Sequence, residues 1–378
     1  MYGRKQDMFT VTKTIRVKIF DPTKVKERIL AEMLAVSRDL SRYYVSEMER
    51  LGTFSKKALH KETYFDVKAA YPEFPTGLIQ TIRDKSVEAY KSYKTRVKKG
   101  KKASLPQFRN PVIRFDCRTF TLFKSDNSFE YFVTLSTPEG RARLPIVCGD
   151  FQLNALNGLN DKTYKFCSAE LMFSKRLSCY TLNITYEYQV NEVTSSSVCG
   201  IDLGLKNTAV LAVPGQVCFY SGARHNQKRA HYASLRRKLG KKKLLKKIKQ
   251  IGAKEQRYMK DINHKISNEV VKMAARHKAV IQMENLTDIR ERAKFTKKMN
   301  KQLHNWNFRQ LQTYIEYKAN AAGLPVLYIN PRNTSCKCHV CGHAVKSNRP
   351  RQNYFHCAQC GYTANADYNA ARNISAIS

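Results

Sequence analysis

The spacing of hydrophobic positions changes period within the first fifty residues. Residues 10–20 alternate apolar and basic side chains, which predicts a half-buried strand with one cationic face. After a helix-start signal at residues 21–23, apolar side chains recur every three or four positions to about Arg50. A second helical pattern covers about 76–98 and runs into a basic turn. These residues therefore predict one strand followed by a helical segment.

Short strands dominate the next part of the chain. From Pro106 to about Val190, alternating or apolar runs are separated by turn-forming residues. Evenly spaced strands of this kind are typical of a small barrel. The strand at 10–20 could close this barrel, with the helices of 21–100 inserted between its strands. Residues 192–197 have the composition of a linker.

The C-terminal half has a different pattern, in which strands alternate with helices. Two strands joined by a short turn cover 198–213, and a long, very basic helical region follows them. A buried-type strand at 279–283, a helix over about 304–322 and a strand at 324–329 come next. This order predicts an α/β layout.

The net charge narrows the class of partner. Lys and Arg number 68 against 30 acidic residues, which gives a formal net charge of +38. An excess of this size repels itself in a compact fold unless a polyanion neutralises it, so nucleic acid is the expected partner. A membrane surface is the competing explanation, but no apolar run approaches the ~18 residues that span a bilayer. The N-terminus also lacks the apolar segment of a secretory signal.

The eleven cysteines indicate a reducing compartment. Those outside the C-terminal region are scattered through strand-like apolar segments, where they are expected to be small buried hydrophobes rather than disulfide partners: Cys117, Cys148, Cys167, Cys179, Cys199 and Cys218. We therefore expect a cytoplasmic, nucleoid-associated protein.

Two Cys-x-x-Cys pairs predict a zinc ribbon. Cys338 and Cys341 are separated from Cys357 and Cys360 by fifteen residues. That spacing suits a site in which each pair lies on a tight knuckle and a short hairpin brings the four thiolates into a tetrahedron. Cys336 lies just before the first pair and could compete for the zinc.

Three acidic residues lie where α/β folds place ligand-binding groups, at strand ends or helix starts. Asp202 interrupts an apolar strand between Gly200 and Gly204, which allow backbone to approach closely on both sides. Glu284 closes a buried-type strand, and Asp367 begins the last helical segment. Taken singly, these acids could be a turn former, a helix-capping residue and a helix N-cap respectively.

Taken together, the three acids predict a nuclease. Neighbouring carboxylates need countercharge, which oxygen-ligated Mg²⁺ supplies. Two such ions ~4 Å apart can activate water and stabilise the leaving oxygen of a phosphodiester. In a strongly cationic protein, the acids would hold the metals and the basic surroundings would hold the substrate.

Three segments resemble the split RuvC motifs of the TnpB family, whose members are RNA-guided nucleases of small insertion sequences and relatives of type V CRISPR effectors. The first is GlyIleAspLeuGlyLeuLysAsn at 200–207, and the second is GlnMetGluAsnLeu at 282–286. The third is AspTyrAsnAlaAlaArgAsnIle at 367–374, after a cysteine module that is similar to the zinc insertion of the family. The resemblance is strong over 198–378 and weaker over 1–190.

The resemblance implies a multidomain α+β protein. Residues 1–20 and 101–192 would form an oligonucleotide-binding-type β-barrel, the wedge domain, and residues 21–100 a helical recognition lobe. Residues 193–335 and 363–378 would form a RuvC nuclease domain of RNase H-like α/β fold.

The resemblance also implies the site residues and their metals. Residues 336–362 would be a zinc-ribbon insertion that binds target nucleic acid and holds one Zn²⁺. Two catalytic Mg²⁺ ions would be held by Asp202, Glu284 and Asp367. The zinc ligands would be Cys338, Cys341, Cys357 and Cys360.

The function implied is that of an RNA-guided DNA endonuclease. It would bind a structured guide RNA and cleave complementary double-stranded DNA next to a short flanking motif. A compact type V CRISPR effector is the main alternative. A guide-independent RuvC-type nuclease is another, against which the large non-RuvC half argues. A nuclease-inactive RNA-guided regulator would be indicated by a lost acid, and none is lost. The oligomeric state stays open.

Overall fold

The computed structural model describes residues 8–126, 128–286 and 308–376. The chain divides into two compact units, Thr12–Tyr188 and Gln189–Ser378 with Met1–Val11. In the described part of the chain, no helix is both long and apolar enough to cross a bilayer. Residues 304–307, where a helix is predicted to begin, lie outside the described residues.

The first unit combines helices with strands. Its helices are α1 (Lys24–Leu51), α2 (Lys56–Ala70), α3 (Thr76–Lys98) and α4 (Asp150–Asn160). The strands are β1 (Met8–Ile19), β2 (Ile113–Phe115), β3 (Phe120–Lys124), β4 (Tyr131–Thr137), β5 (Gly140–Val147), β6 (Lys165–Ser174) and β7 (Cys179–Asn191).

The strands of this unit form a sheet in the order β2-β6-β7-β1-β5-β4-β3. The pairs β2–β6, β6–β7, β1–β5, β4–β5 and β3–β4 are antiparallel. In β4 every second side chain is buried, namely Tyr131, Val133, Leu135 and Thr137. The predicted cationic strand is confirmed as β1, in which buried Ile15 and Val17 alternate with exposed Arg16 and Lys18.

Helix α1 confirms the first helical pattern. The Thr23 hydroxyl accepts a hydrogen bond from the backbone N–H of Lys26, and Gly52 ends the helix in the left-handed conformation. Met33, Leu40 and other apolar residues of its inner face join an apolar core with α3 and the sheet.

Two helices of this unit differ from the sequence interpretation. No helical pattern was identified for α2, because only three of its fifteen residues are buried. The turn-forming residues that separate the predicted strands include 157–161, most of which belong to helix α4 in the structure. That helix buries Ala155 and Leu156 and places Asn157 where its Oδ1 accepts a hydrogen bond from the Tyr131 hydroxyl at 2.6 Å. This contact depends on long-range packing.

The second unit contains the last seven strands and four helices of the described residues. Its strands are β8 (Ser197–Asp202), β9 (Asn207–Val213), β10 (Gln216–Ser221), β11 (Ala279–Glu284), β12 (Val326–Ile329), β13 (Tyr354–His356) and β14 (Thr363–Asn365). The helices are α5 (Ala223–Lys241), α6 (Leu245–Arg276), α7 (Phe308–Ala321) and α8 (Ala366–Ser375), with a 3₁₀ turn at Lys346–Asn348.

Five of these strands form a mixed sheet in the order β10-β9-β8-β11-β12. The pairs β8–β9 and β9–β10 are antiparallel, whereas β8–β11 and β11–β12 are parallel. The inward side chains of the sheet share an apolar core with α6 and α7. The α/β layout predicted for this half is therefore confirmed.

Helix α8 packs very closely against the central strand of this sheet. A Cβ atom on Gly200 of β8 would lie 2.2 Å from the Ala371 carbonyl oxygen and 2.5 Å from the Ser375 nitrogen. Only glycine permits this approach, as the sequence predicts for Gly200. The helix carries Asp367 in its first turn, so the contact at Gly200 helps to determine where that carboxylate lies.

We expect Gly200→Ala to destabilise the protein by about 1–3 kcal/mol, because the added methyl group overlaps backbone that can move only if α8 moves. Thermal unfolding followed by circular dichroism measures the change. Gly252→Ala is the matched control, since nothing lies within 4 Å of its added Cβ in helix α6. An unchanged melting temperature for Gly200→Ala would contradict the close docking of α8.

Candidate active site

Asp202 and Glu284 lie at the carboxyl ends of neighbouring parallel strands. Asp202 is the last residue of β8 and Glu284 the last of β11. The strands are paired so that Met283 lies opposite Ile201, which brings the next residue of each strand to the same edge of the sheet. This is the edge at which α/β sheets bind ligands.

Asp367 is held at this site from helix α8. Asn365 caps the helix, because its side chain accepts hydrogen bonds from the backbone N–H groups of Asp367 and Tyr368. The N-cap interpretation of Asp367 is therefore wrong. The carboxylate instead accepts a hydrogen bond from the Asn207 amide at 2.8 Å and pairs with the Arg349 guanidinium at 2.9 Å.

Glu284 is held by the segment that leads into the cysteine module. The Thr334 hydroxyl hydrogen-bonds the Glu284 carboxylate. The Gln312 amide donates to the Glu284 carbonyl at 2.8 Å, and the backbone N–H of Asn285 donates to the Ile329 carbonyl at 2.8 Å. These bonds hold the end of strand β11, in which Glu284 is the last residue, so Glu284 is not a helix cap.

The three acids, which we call the acid cluster, influence one another electrostatically. Burial and then the charges of Glu284 and Asp367 raise the pKa of Asp202 well above its ordinary value, and Arg349 only partly offsets them. Burial also raises the pKa of Glu284, against the opposing effects of the Thr334 hydrogen bond and Arg349. The cluster therefore favours a bound cation.

The four cysteines of the two pairs converge. The Sγ atoms of Cys338 and Cys360 are 3.8 Å apart, and those of Cys341 and Cys357 are 3.5 Å apart. A tetrahedral zinc site with Zn–S bonds of ~2.3 Å has sulfur–sulfur distances of ~3.8 Å, so these residues fit zinc. Cys336 lies outside the group, with its thiol 3.7 Å from the Asn333 carbonyl oxygen.

The two kinds of candidate metal ligand differ in how closely they are assembled. Among the described residues, the four thiols are the one group of three or more potential ligands whose donor atoms all lie within 4.8 Å of one another. The three carboxylates share an edge of the sheet without forming such a group. Their oxygen donors have the chemistry that Mg²⁺ prefers.

A basic surface lies on the two helices between β10 and β11. Nine of the fourteen residues from Arg236 to Lys249 are Lys or Arg, and no residue of α5 is buried. Arg236 pairs with Glu255 of α6, which joins the two helices. The very basic helical region predicted from the sequence is therefore confirmed, and its charges face solvent.

Several side chains that hold the acids were missed by sequence reasoning. Arg349 lies in the loop between the cysteine pairs, where a basic residue resembles the many others of this chain. Asn207 and Thr334 lie within or beside the quoted motifs, but nothing in their spacing points to a carboxylate partner. Their roles depend on how β9, β11 and α8 meet.

Comparison with known proteins finds similarity to Cas12f1 and TnpB-like proteins. The family model described as "Cas12f1-like, TNB domain" matches residues 308–374, which include the cysteine module and helices α7 and α8. The CRISPR-associated endodeoxyribonuclease Cas12f1 of Sulfoacidibacillus thermotolerans is 28% identical over 84% of this chain and 80% of its own.

Two further comparisons extend this similarity. A TnpB-like protein of Methanocaldococcus jannaschii is 29% identical over 64% of this chain and 88% of its own. The cryo-EM structure of a Cas12f1–sgRNA–target DNA complex contains a chain with a TM-score of 0.69 and 16% identity, aligned over 97% of this chain and 99% of that one. Because its identity is only 16%, the match to the chain of the Cas12f1 complex shows a similarity of fold alone.

We expect Asp202→Asn to stabilise the protein at neutral pH in buffer without added divalent ions. Because the folded state raises the pKa of Asp202, the wild type loses stability as the pH rises from the unfolded carboxyl value of ~4 through the folded value. The variant avoids this loss, so its advantage should vanish near pH 4. Thermal melts at several pH values test this.

The control for this measurement is Asp261→Asn, which removes an exposed carboxylate 2.9 Å from Lys265. It should not show the same gain at neutral pH. Equal melting temperatures for Asp202→Asn and the wild type across the pH range would contradict the electrostatic account of the acid cluster.

Proposed function

We propose that this chain belongs to the family of TnpB proteins and compact type V effectors and that it is an RNA-guided DNA endonuclease. It would bind a structured guide RNA and cut double-stranded DNA that matches the guide next to a short flanking motif. We place it in the cytoplasm with the nucleoid, where such a substrate lies.

One observation carries the proposal. Asp202, Glu284 and Asp367 come from two strands and a helix that are far apart in the chain, yet they meet at one edge of the mixed sheet. Neighbouring acids whose charges raise the pKa of one another, as those of Glu284 and Asp367 do for Asp202, are typical of functional sites. The order and directions of the five strands support an RNase H-like, RuvC-type nuclease domain.

The residues of the acid cluster would act together in phosphodiester hydrolysis. All three carboxylates would hold two Mg²⁺ ions, which supply a water of lowered pKa and positive charge for the leaving oxygen. Thr334 orients Glu284, and Asn207 orients Asp367. Arg349 donates N–H groups at the same place and could hold a phosphate oxygen of the scissile strand.

The nucleic acids would bind outside the acid cluster. The exposed basic residues of α5 and the start of α6 offer contacts to phosphate groups that do not depend on sequence. We assign the sheet of the first unit to an oligonucleotide-binding-type wedge barrel and α1–α3 to a recognition lobe. The antiparallel pairs of that sheet support this assignment.

The cysteine module would be a zinc ribbon that binds target nucleic acid. Its four thiols would hold one Zn²⁺, in accordance with their separations. Arg351 and Lys346 add positive charge to its loop.

A compact type V CRISPR effector is the second candidate. The matches to Cas12f1 cover 84% and 89% of this chain, whereas the TnpB-like relative of M. jannaschii covers 64%. Both candidates predict the same chemistry at the acid cluster. They differ in the origin of the guide RNA. A CRISPR effector would take its guide from a repeat array, and a TnpB protein from a transposon end.

We expect Asp202→Ala to lower the rate of RNA-programmed DNA cleavage by ~10³-fold or more, because a metal ligand is lost, and to leave RNA-programmed DNA binding intact. Cleavage of a labelled duplex and its gel-shift titration measure the two properties. Asp261→Ala, which removes an exposed acid of α6, should retain both. Cleavage by Asp202→Ala at the wild-type rate would show that the triad assignment is wrong.

The guide is tested by expressing the gene with its native flanking DNA and sequencing the RNA that copurifies with the protein. We expect one abundant RNA with a constant structured part and a variable end of ~20 nucleotides. Its genomic origin would distinguish a transposon end from a repeat array. Heterogeneous fragments, or no RNA, would favour a guide-independent nuclease instead.

A further inference from the structure

Two buried asparagines of helix α8 hold the backbone of the first cysteine knuckle, which comprises residues 337–343. The Asn373 amide donates to the carbonyl oxygens of Thr334 at 2.8 Å and Lys337 at 2.6 Å. The Asn369 amide donates to the same Lys337 carbonyl at 2.8 Å, and its oxygen accepts from the backbone N–H of His339 at 3.1 Å. The backbone carbonyl of Lys337 and the backbone N–H of His339, on either side of Cys338, are therefore both hydrogen-bonded to α8.

These bonds depend on the folded shape of the knuckle. The backbone N–H of Cys338 donates to the His343 carbonyl at 2.8 Å, and that of Gly342 donates to the Cys338 carbonyl at 2.9 Å. Asn369 is completely buried and Asn373 is 4% exposed. If the knuckle opened, both amides would lose these partners in a place that water reaches poorly, which is costly.

The same contacts lead to two members of the acid cluster. Asp367 lies two residues before Asn369 on α8. Thr334, whose carbonyl binds Asn373, uses its hydroxyl to bind Glu284. The knuckle is thus connected to Asp367 through the helix and to Glu284 through Thr334.

We propose that Asn369 and Asn373 are positioning residues that couple zinc binding at the cysteine knuckles to the divalent-metal affinity of the acid cluster. The inference rests on the proposed function, in which the acids bind metal. Coupling of this kind is reciprocal in the binding free energies, so zinc strengthens the metal affinity of the acids and metal at the acids strengthens the affinity for zinc by the same factor.

The test uses Asn373→Leu, which has a similar volume but no amide donor. The full-length, zinc-loaded protein is titrated with Mn²⁺ and followed by electron paramagnetic resonance, with Asp202→Asn defining the signal of the acid cluster. Zinc release is followed with a chelating dye. We expect about tenfold weaker Mn²⁺ binding and about tenfold faster zinc release, because the variant loses both hydrogen bonds that the Asn373 amide donates, to Thr334 and to Lys337.

The matched control is Asn263→Leu. Asn263 is a buried asparagine of α6 whose amide donates to Gln310 at 2.9 Å, away from the knuckle. Asn263→Leu should change neither the Mn²⁺ affinity nor the rate of zinc release. If Asn373→Leu fails to fold, Asn369→Leu, which removes the bond donated to Lys337 and the contacts of the amide oxygen with the backbone N–H and ring Nδ1 of His339, provides the same measurement.

A thermodynamic cycle separates coupling from general loosening of the fold. Zinc-stripped wild type should bind Mn²⁺ about as weakly as zinc-loaded Asn373→Leu. Removing zinc from Asn373→Leu should then cause no further loss of Mn²⁺ affinity. Unchanged Mn²⁺ affinity in the variant, or independent and additive losses from zinc removal and substitution, would overturn the proposal.

The outcome is distinguishable from that of the proposed function. If Mn²⁺ affinity depends on zinc and Asn373 but no RNA-matched DNA is cut, the coupling stands and the endonuclease assignment fails. If the wild type cuts RNA-matched DNA and Mn²⁺ affinity is independent of zinc, the endonuclease assignment stands and the coupling fails.

Discussion

The approach of helix α8 to strand β8 is the contact on which the candidate site depends. The strand ends at Asp202 and lies beside β11, which ends at Glu284, so two acids follow from sheet pairing alone. The third reaches them only because Gly200 lets the backbone of α8 come within van der Waals contact of the strand. The site is therefore assembled by packing in a small region of the second unit.

The price of this assembly is electrostatic. Desolvation and the nearby charges of Glu284 and Asp367 raise the pKa of Asp202, and Arg349 pairs with Asp367. One guanidinium does not balance three acids, which is why divalent cations suit the site. The surrounding excess of Lys and Arg serves a different purpose, because exposed cations on α5 attract phosphate groups over distances limited by salt.

Several elements of the fold, the cysteine module and the three acids could be predicted from the sequence. The alternation in β1, the period of α1 and the spacing of the four cysteines are local signals, and each has one simple structural solution. The acids could be recognised only as a set, because three of them lie at strand ends or a helix start of an α/β pattern in a strongly cationic chain, although each alone has a structural explanation. Gly200 was identified because it lies beside one of them.

The features that could not be predicted depend on contacts between distant segments of the chain. Nothing local distinguishes Arg349 from the other basic residues, and its partner Asp367 lies across the second knuckle. Helix α4 was missed because its inner face is short, and the order of strands in the first sheet reflects pairings across long stretches of chain. Asn369 and Asn373 stand four residues apart on one face of α8, a spacing that indicates a shared partner but not which one.

The most direct test of the central claim is to change the variable end of the guide RNA and ask whether the cut moves. The protein, loaded with an RNA whose free segment matches a new site beside the same flanking motif, is incubated with a plasmid that carries both sites. The account predicts Mg²⁺-dependent cleavage at the new site and none at the old one. Cleavage that stays at the old site, or that needs no RNA, would contradict it.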